Sequence, residues 1–203
     1  MYVPGAFQMN DVDAIELAQR VAVGHLITGA DGRPESTMIP FTLATVDGRL
    51  VLRAHLARAN PHHRLLAPGA EALVVVQGPD AYVSPGLYPS KSEHGKVVPT
   101  WNYALVHLRG TLQPVGDGEL PGLVGDLTDL HEQVRDEPWA VSDAPTDFIT
   151  AQLRAIVGIE MTITSIEGKA KLSQNRPEAD HDAVRQAFGR GTAREQAVAQ
   201  LMR

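Results

Sequence analysis

The spacing of apolar and polar positions divides the chain into amphipathic helices and short strands. Val12, Ile15, Ala18 and Ala22 recur at helical intervals behind Asn10, a good N-cap, with Asp13 in a capping-box-like place. They predict a helix over about 10–21. Next come His25 to Thr28, Thr37 to Thr45 and Leu50 to His55, separated by Asp31-Gly32 and Asp47-Gly48. That grammar predicts consecutive antiparallel strands joined by tight turns. Asn60-Pro61 sets a cap and a first-turn proline before a short helix through Leu65 and Leu66, which Pro68-Gly69 stops. Ala72 to Val76 is an unbroken apolar run too short for a helix, predicting a strand buried on both faces, with Ala81 to Ser84 resuming the sheet after Gly78-Pro79. Residues 85–98 carry Pro85, Gly86, Pro89 and Gly95 and predict a loop long enough to act as a lid or binding loop. Trp101 to Val115 alternates as a long strand. Leu120, Leu123, Val124, Leu127, Leu130 and Val134 form an i, i+3, i+4 stripe, and residues 145–155 predict another short helix. Ile156 to Ile166 returns as a strand, a basic loop follows over Lys169 to Pro177, and the tail predicts two short helices split near Gly189 and Gly191.

Six or seven strands with helices inserted rather than strictly alternating predict a mainly β, α+β fold: an antiparallel barrel with flanking helices instead of a doubly wound parallel sheet. With 203 residues, one domain over 1–203 is expected, carrying an acidic helical insertion at about 117–155 and a carboxy-terminal helical arm at about 171–203. The formal charge of −6 is concentrated there: residues 117–147 hold nine acids against Arg135 alone. A chain of this sign is a poor non-specific DNA binder. It contains no cysteine, which removes disulfides, thiolate metal sites and a cysteine nucleophile. Neither a secretory leader nor an apolar run of roughly 18–20 residues is visible, so no membrane association and a cytoplasmic location are expected.

The standard phosphate-loop, dinucleotide and nucleophile-elbow motifs are missing, and His62-His63 lack the spacing of a metal pair, which favours a surface helix. Two segments are more informative. Around Leu52 to Pro61 a strand ending in His55 and Arg58 meets a capped helix start, where side chains and amide groups either hold a phosphate monoester or form a solvated strand end. Between Tyr82 and Tyr103 lie three of the four tyrosines and one of the two tryptophans, beside Lys91 and Lys96. Rings and lysines so placed suit a planar, anionic, aromatic ligand or a dimer interface.

Several runs occur together in one order: Met1-Tyr2-Val3-Pro4, His55 to Pro61, Gln77 to Pro85, Tyr88-Pro89-Ser90-Lys91, Glu93 to Tyr103, Val141 to Pro145, Ala155 to Gly158 and Lys171 to Pro177. With them the chain resembles the PaiB family over nearly its whole length. The resemblance implies an FMN-binding split barrel, pyridoxamine-phosphate-oxidase-like, forming a homodimer with FMN at the subunit interface, in a family labelled negative transcriptional regulators. It implies that His55, Ala57 and Arg58 hold the flavin phosphate and that Thr37, Met38 and Ile39 lie along the ring system. Lys91, Trp101, Asn102, Lys171 and Gln174 are further candidates for closing the site. DNA is a weakly supported partner, and flavin reductase-like or haem-degrading activity is the alternative reading. Leu87 and Ala170 stand where the family pattern carries tryptophan.

Overall fold

In a computed structural model, which describes residues 1–30 and 32–202, the elements follow the chain as β1 (Gln8–Met9), α1 (Asp11–Val21), β2 (Val23–Ala30), β3 (Arg33–Val46), β4 (Arg49–Ala57), β5 (Glu71–Val83), α2 (Ser90–His94), β6 (Thr100–Pro114), α3 (Leu120–Glu132), α4 (Thr146–Arg154), β7 (Ile156–Lys171), α5 (Glu178–Gly189) and α6 (Ala193–Ala199). Asp47-Gly48 makes the expected turn: both residues have positive φ, 50° and 74°, and Val46 pairs with Arg49 on either side. Such a two-residue turn matches the twist of the strands it joins. Of the other predicted turn, Asp31 lies outside the described residues.

The sheet runs β1-β7-β4-β3-β2-β5-β6, and β6 also pairs with β7, so six strands close on one another and β1 is added at Gln8↔Lys169. This is the expected antiparallel barrel with flanking helices. Contacts divide the chain into two units. The barrel unit comprises residues 19–76 and 107–166; the second unit comprises residues 1–18, 77–106 and the chain from Glu167 onward.

Within the barrel unit, alternation along β4 turns Leu52, Ala54 and Leu56 inward, and Leu26, Ile39, Phe41, Val74, Leu108, Ile159 and Met161 are buried as well. Gly110 is required where β6 approaches β7, since a Cβ there would collide with the Thr162 carbonyl. The α3 stripe is used over its first turns: Leu120, Leu123 and Leu127 are buried with Val115, each contributing about 1.5–3 kcal/mol. Val134 is 82% exposed, so the apolar stripe outlasts the packing.

In the second unit, Ala81, Val83, Tyr88, Leu172, Val184, Phe188, Val198 and Met202 form a core of their own. Thr192 and Glu195 build a reciprocal capping box at the start of α6, and the Thr192 amide and hydroxyl hold the Glu195 carboxyl below its usual pKa.

Four local expectations are corrected. β5 continues unbroken through Gly78-Pro79, and only alternate residues Ala72, Val74 and Val76 are buried, leaving Leu73 and Val75 half-buried. Residues 85–98 are partly helical, with a 3-10 turn at Pro85–Leu87 before α2. Pro61–Leu65 is 3-10 rather than α-helical. β7 extends to Lys171, which places Lys169 and Lys171 on a strand instead of in a loop. Among the described residues no helix is long and apolar enough to cross a membrane.

Candidate functional site

The end of β4 carries the first cluster. Residues facing away from the barrel interior there include Arg53 and His55. The Arg53 charge is answered by Glu160 at 3.1 Å and Glu119 at 3.8 Å. His55 lines a cleft of about 290 Å³ with Pro40, Val124, Leu127, His131 and Trp139, and burial pushes its pKa below the ordinary histidine value.

Arg58 is exposed, yet it is held in place. Its Nε donates to the Arg154 carbonyl and its Nη2 to the Ile156 carbonyl, both at 3.0 Å, while its backbone amide donates to Ala155 O at 2.8 Å. These acceptors lie at the carboxy-terminal end of α4 and the start of β7, where a positive charge is favoured by the helix dipole. Two of the guanidinium's five N–H groups are used in this way, and the others remain on an exposed side chain. An oriented, charged fork of this kind suits a phosphate or carboxylate.

Beneath this corner lies a polar node that sequence reasoning missed. Asn60 caps the 3-10 turn as expected, accepting the His62 amide on Oδ1 at 3.0 Å. His62, however, is 2% exposed, not a surface residue. Its Nε2 meets the Thr28 hydroxyl at 2.9 Å and its Nδ1 meets that of Thr37 at 2.8 Å, while Asn60 Nδ2 donates to Thr37 Oγ1 at 3.0 Å. With Asn60 donating to Thr37 Oγ1, one continuous chain runs from the Thr37 hydroxyl proton to His62 Nδ1 and from Nε2–H to the Thr28 hydroxyl. That chain needs a neutral imidazole. Burial lowers the His62 pKa accordingly, and Glu35 partly opposes the shift. The amides of Asn60 and His63 are bonded to the carbonyls of Ala57 and Asn60. With the His62 amide also engaged, an anion at this corner is left to side chains rather than to a nest of open amides.

On β3 the three candidate residues separate by strand alternation. Thr37 belongs to the node, Ile39 is 1% exposed in the core, and Met38 is 66% exposed on the outer face opposite His25. The Ser36 hydroxyl approaches His25 Nδ1 at 3.4 Å.

The remaining candidates belong to the second unit. Lys91 is exposed on α2. Trp101 points outward on β6, 46% exposed, while its neighbour Asn102 is fully buried, accepting from the Ser173 hydroxyl at 3.0 Å and donating toward Met202 Sδ at 3.7 Å. Lys171 Nζ donates to Trp101 O at 2.8 Å and to the Thr100 hydroxyl. Burial lowers its pKa, with Lys169 and Arg176 adding like-charge repulsion. Gln174 closes the turn after β7, with its amide bonded to Leu172 N and Ala170 O around Ser173, whose φ is 64°. Trp101 and Lys171 are thus brought together, whereas Asn102 and Gln174 are bonded internally. Leu87 and Ala170 both pack against the second unit's core.

Residues 1–165 match the family model described as "Putative FMN-binding domain". The Bacillus subtilis protease synthase and sporulation protein PAI 2 is 30% identical over 182 residues, covering 89% of this chain and 86% of that protein. An uncharacterized Emericella nidulans protein is 33% identical over 206 residues, covering 83% of this chain and 81% of its own. Among solved structures, the FAD and heme binding protein from Mycobacterium smegmatis superposes with a TM-score of 0.58 at 22% identity, covering 81% of this chain and 73% of that one. A conserved hypothetical protein from Mycobacterium tuberculosis gives 0.59 at 13% identity, with 88% and 95% covered. At those identities the likeness is one of fold.

Proposed function

The chain belongs to the FMN-binding family, resembling PaiB, with FMN as its cofactor, and on that premise we propose that the β4 corner holds the flavin phosphate on the Arg58 guanidinium. His55, three residues earlier on β4, is the second polar contact in this reading, and the outer face of β3 at Met38 takes the ring. The residues present fit such a group: Arg58 is anchored by two carbonyls and still carries unused donors, and Met38 offers an exposed apolar surface on the same strand as the node residue Thr37. The anchored Arg58 is the observation that carries the reading. FMN, when bound, supplies one- and two-electron redox chemistry, and the protein's part is to bind and orient it. Arg58 offsets phosphate charge, and the His62 node keeps β3 and the corner in register. Flavin reductase-like and haem-degrading activities are not favoured.

A ring laid on the outer face at Met38 leaves one side in water, so we read a second copy of this chain as its cover, in a homodimer. Titration of flavin fluorescence tests the site. Arg58→Ala is expected to weaken FMN at least tenfold with little change in unfolding, and unchanged affinity overturns the assignment. Light scattering with and without FMN tests the dimer, where Met38→Asp is expected to shift the population toward monomer. The regulatory role is supported by kinship to a relative named for protease synthesis and sporulation. With a chain charge of −6, we assign that role to a protein partner in preference to direct DNA contact. Retarded migration of its own promoter DNA by the purified protein alone, persisting as salt is raised, would reverse that preference.

A further inference from the structure

The outward face of the second unit carries a groove that the flavin reading leaves unused. It measures about 400 Å³ and is lined by Gln77, Asp80, Trp101, Tyr103, Ala104 and Leu105. Tyr82 stands edge-on to Trp101, ring centroids 6.0 Å apart, and both rings are nearly half exposed. Such a surface is apolar, ring-rich and at the small end of the range for ligand sites.

Its surroundings are cationic. Lys169 Nζ lies 5.4 Å from the Tyr103 ring centroid and donates to Tyr2 O at 3.2 Å. Lys171 is bonded to Thr100 and Trp101 O, and the Arg194 guanidinium sits 5.5 Å from the Trp101 centroid. Asp80 is the one carboxylate among the lining residues, and Arg194 already binds it. Lys169 and Arg176 both repel Lys171. Positive charge beside aromatic rings, in a chain whose overall charge is negative, calls for an occupant that is flat and anionic.

We propose that this groove binds a small planar aromatic acid, one or two rings in size, whose carboxylate pairs with Lys169 and Lys171 while its ring covers Trp101, Tyr103 and Leu105. The groove's residues belong to the second unit and those proposed for FMN to the barrel unit, so the acid would be a second ligand of the protein.

The test is calorimetry with 2-naphthoate as probe and 2-naphthamide as its uncharged counterpart, on the full chain, both without FMN and saturated with it. Saturable binding of one naphthoate per chain is expected in both states, with the amide at least tenfold weaker. Trp101→Ala should abolish the heat, and Lys171→Gln or Lys169→Gln should weaken binding about tenfold, while the FMN titration of Lys169→Gln stays unchanged. Equal binding of acid and amide overturns the proposal. So does heat that vanishes on FMN saturation, which assigns the groove to the flavin, or a dimer that dissociates in Trp101→Ala with no naphthoate heat, which assigns it to a second copy. Failure of FMN to bind would sink the flavin site alone, because the groove is read in its absence.

Discussion

The barrel unit and the second unit share a construction and differ in how they hold charge. In each, one strand turns a hydrogen-bonded polar residue inward and an exposed side chain outward: half-buried Thr37 and then Met38 on β3, buried Asn102 and Trp101 on β6. In the barrel unit the buried node contains a titratable ring, His62, and the cation above it is pinned by carbonyl dipoles. In the second unit the node is an amide, a hydroxyl and a thioether, and its cations crowd one another. Dipoles can orient a charge without neutralising it, which leaves Arg58 aimed and available. Crowded cations instead store repulsion that an incoming anion relieves. The first arrangement favours geometric selection, the second favours selection by charge.

The largest break between the two should come from deleting the nodes. His62→Leu leaves the buried Thr28 hydroxyl without its imidazole partner and frees one side of Thr37, and is expected to cost about 2–4 kcal/mol. Asn102→Leu orphans only the Ser173 hydroxyl, since the contact to Met202 sulfur is long, and should cost about 1–3 kcal/mol. Urea unfolding of both variants ranks them; the reverse order would make the second node the stronger one.

Acid comes next. Burial holds the folded pKa of His62 and of His55 below the ordinary histidine value of about 6.5. The unfolded chain therefore takes up these protons first, so stability is complete above about pH 6.5 and falls as pH drops toward the folded values. Urea midpoints near pH 7.5 and pH 5.5 should show that fall, and His62→Leu should flatten it. Asn102→Leu should leave the slope intact, because its node has no proton to exchange. A slope equally steep in His62→Leu would place the sensitivity elsewhere.

Arg58→Lys probes the pinned cation more gently. Lysine keeps the charge but cannot span the carbonyls of Arg154 and Ile156 while offering a planar fork. FMN affinity should fall a few-fold, less than in Arg58→Ala, and equal affinity of lysine and arginine would mean that charge alone is used.

These contrasts were unevenly legible in the sequence. Strand alternation, the Asp47-Gly48 turn, the Asn60 cap and the first turns of the α3 stripe are local, and local patterns report them well. The burial of His62 depends on hydroxyls 34 and 25 residues away, and the anchoring of Arg58 on carbonyls 96 and 98 residues away. No periodicity carries such information. Residue types therefore pointed to the corner and to the aromatic face, while the reason Arg58 stands still and the crowding around Lys171 had to come from three dimensions. The extension of β7 through Lys169 and Lys171 was missed for a similar reason: these lysines alternate on a strand edge supported by β1, whose two residues give no strand signal alone.

The smallest effect concerns the rim of the groove. Asp80 accepts from Arg194, whose side chain is 63% exposed, and from Gln77 Nε2 at 2.8 Å. An ion pair this open contributes little, so Asp80→Asn should shift the unfolding midpoint only slightly, by less than about 1 kcal/mol. Its effect on binding has the opposite sign. Removing that carboxylate frees Arg194 beside Trp101 and raises the positive potential over the rings, so 2-naphthoate should bind about two- to threefold tighter while 2-naphthamide is unaffected. Raising salt should erase the gain, since charges at this exposure are screened within about 10 Å at 0.1 M. A gain shared by acid and amide would instead mean that Asp80 shapes the groove sterically, and the division between a dipole-pinned and a charge-crowded site would lose its second half.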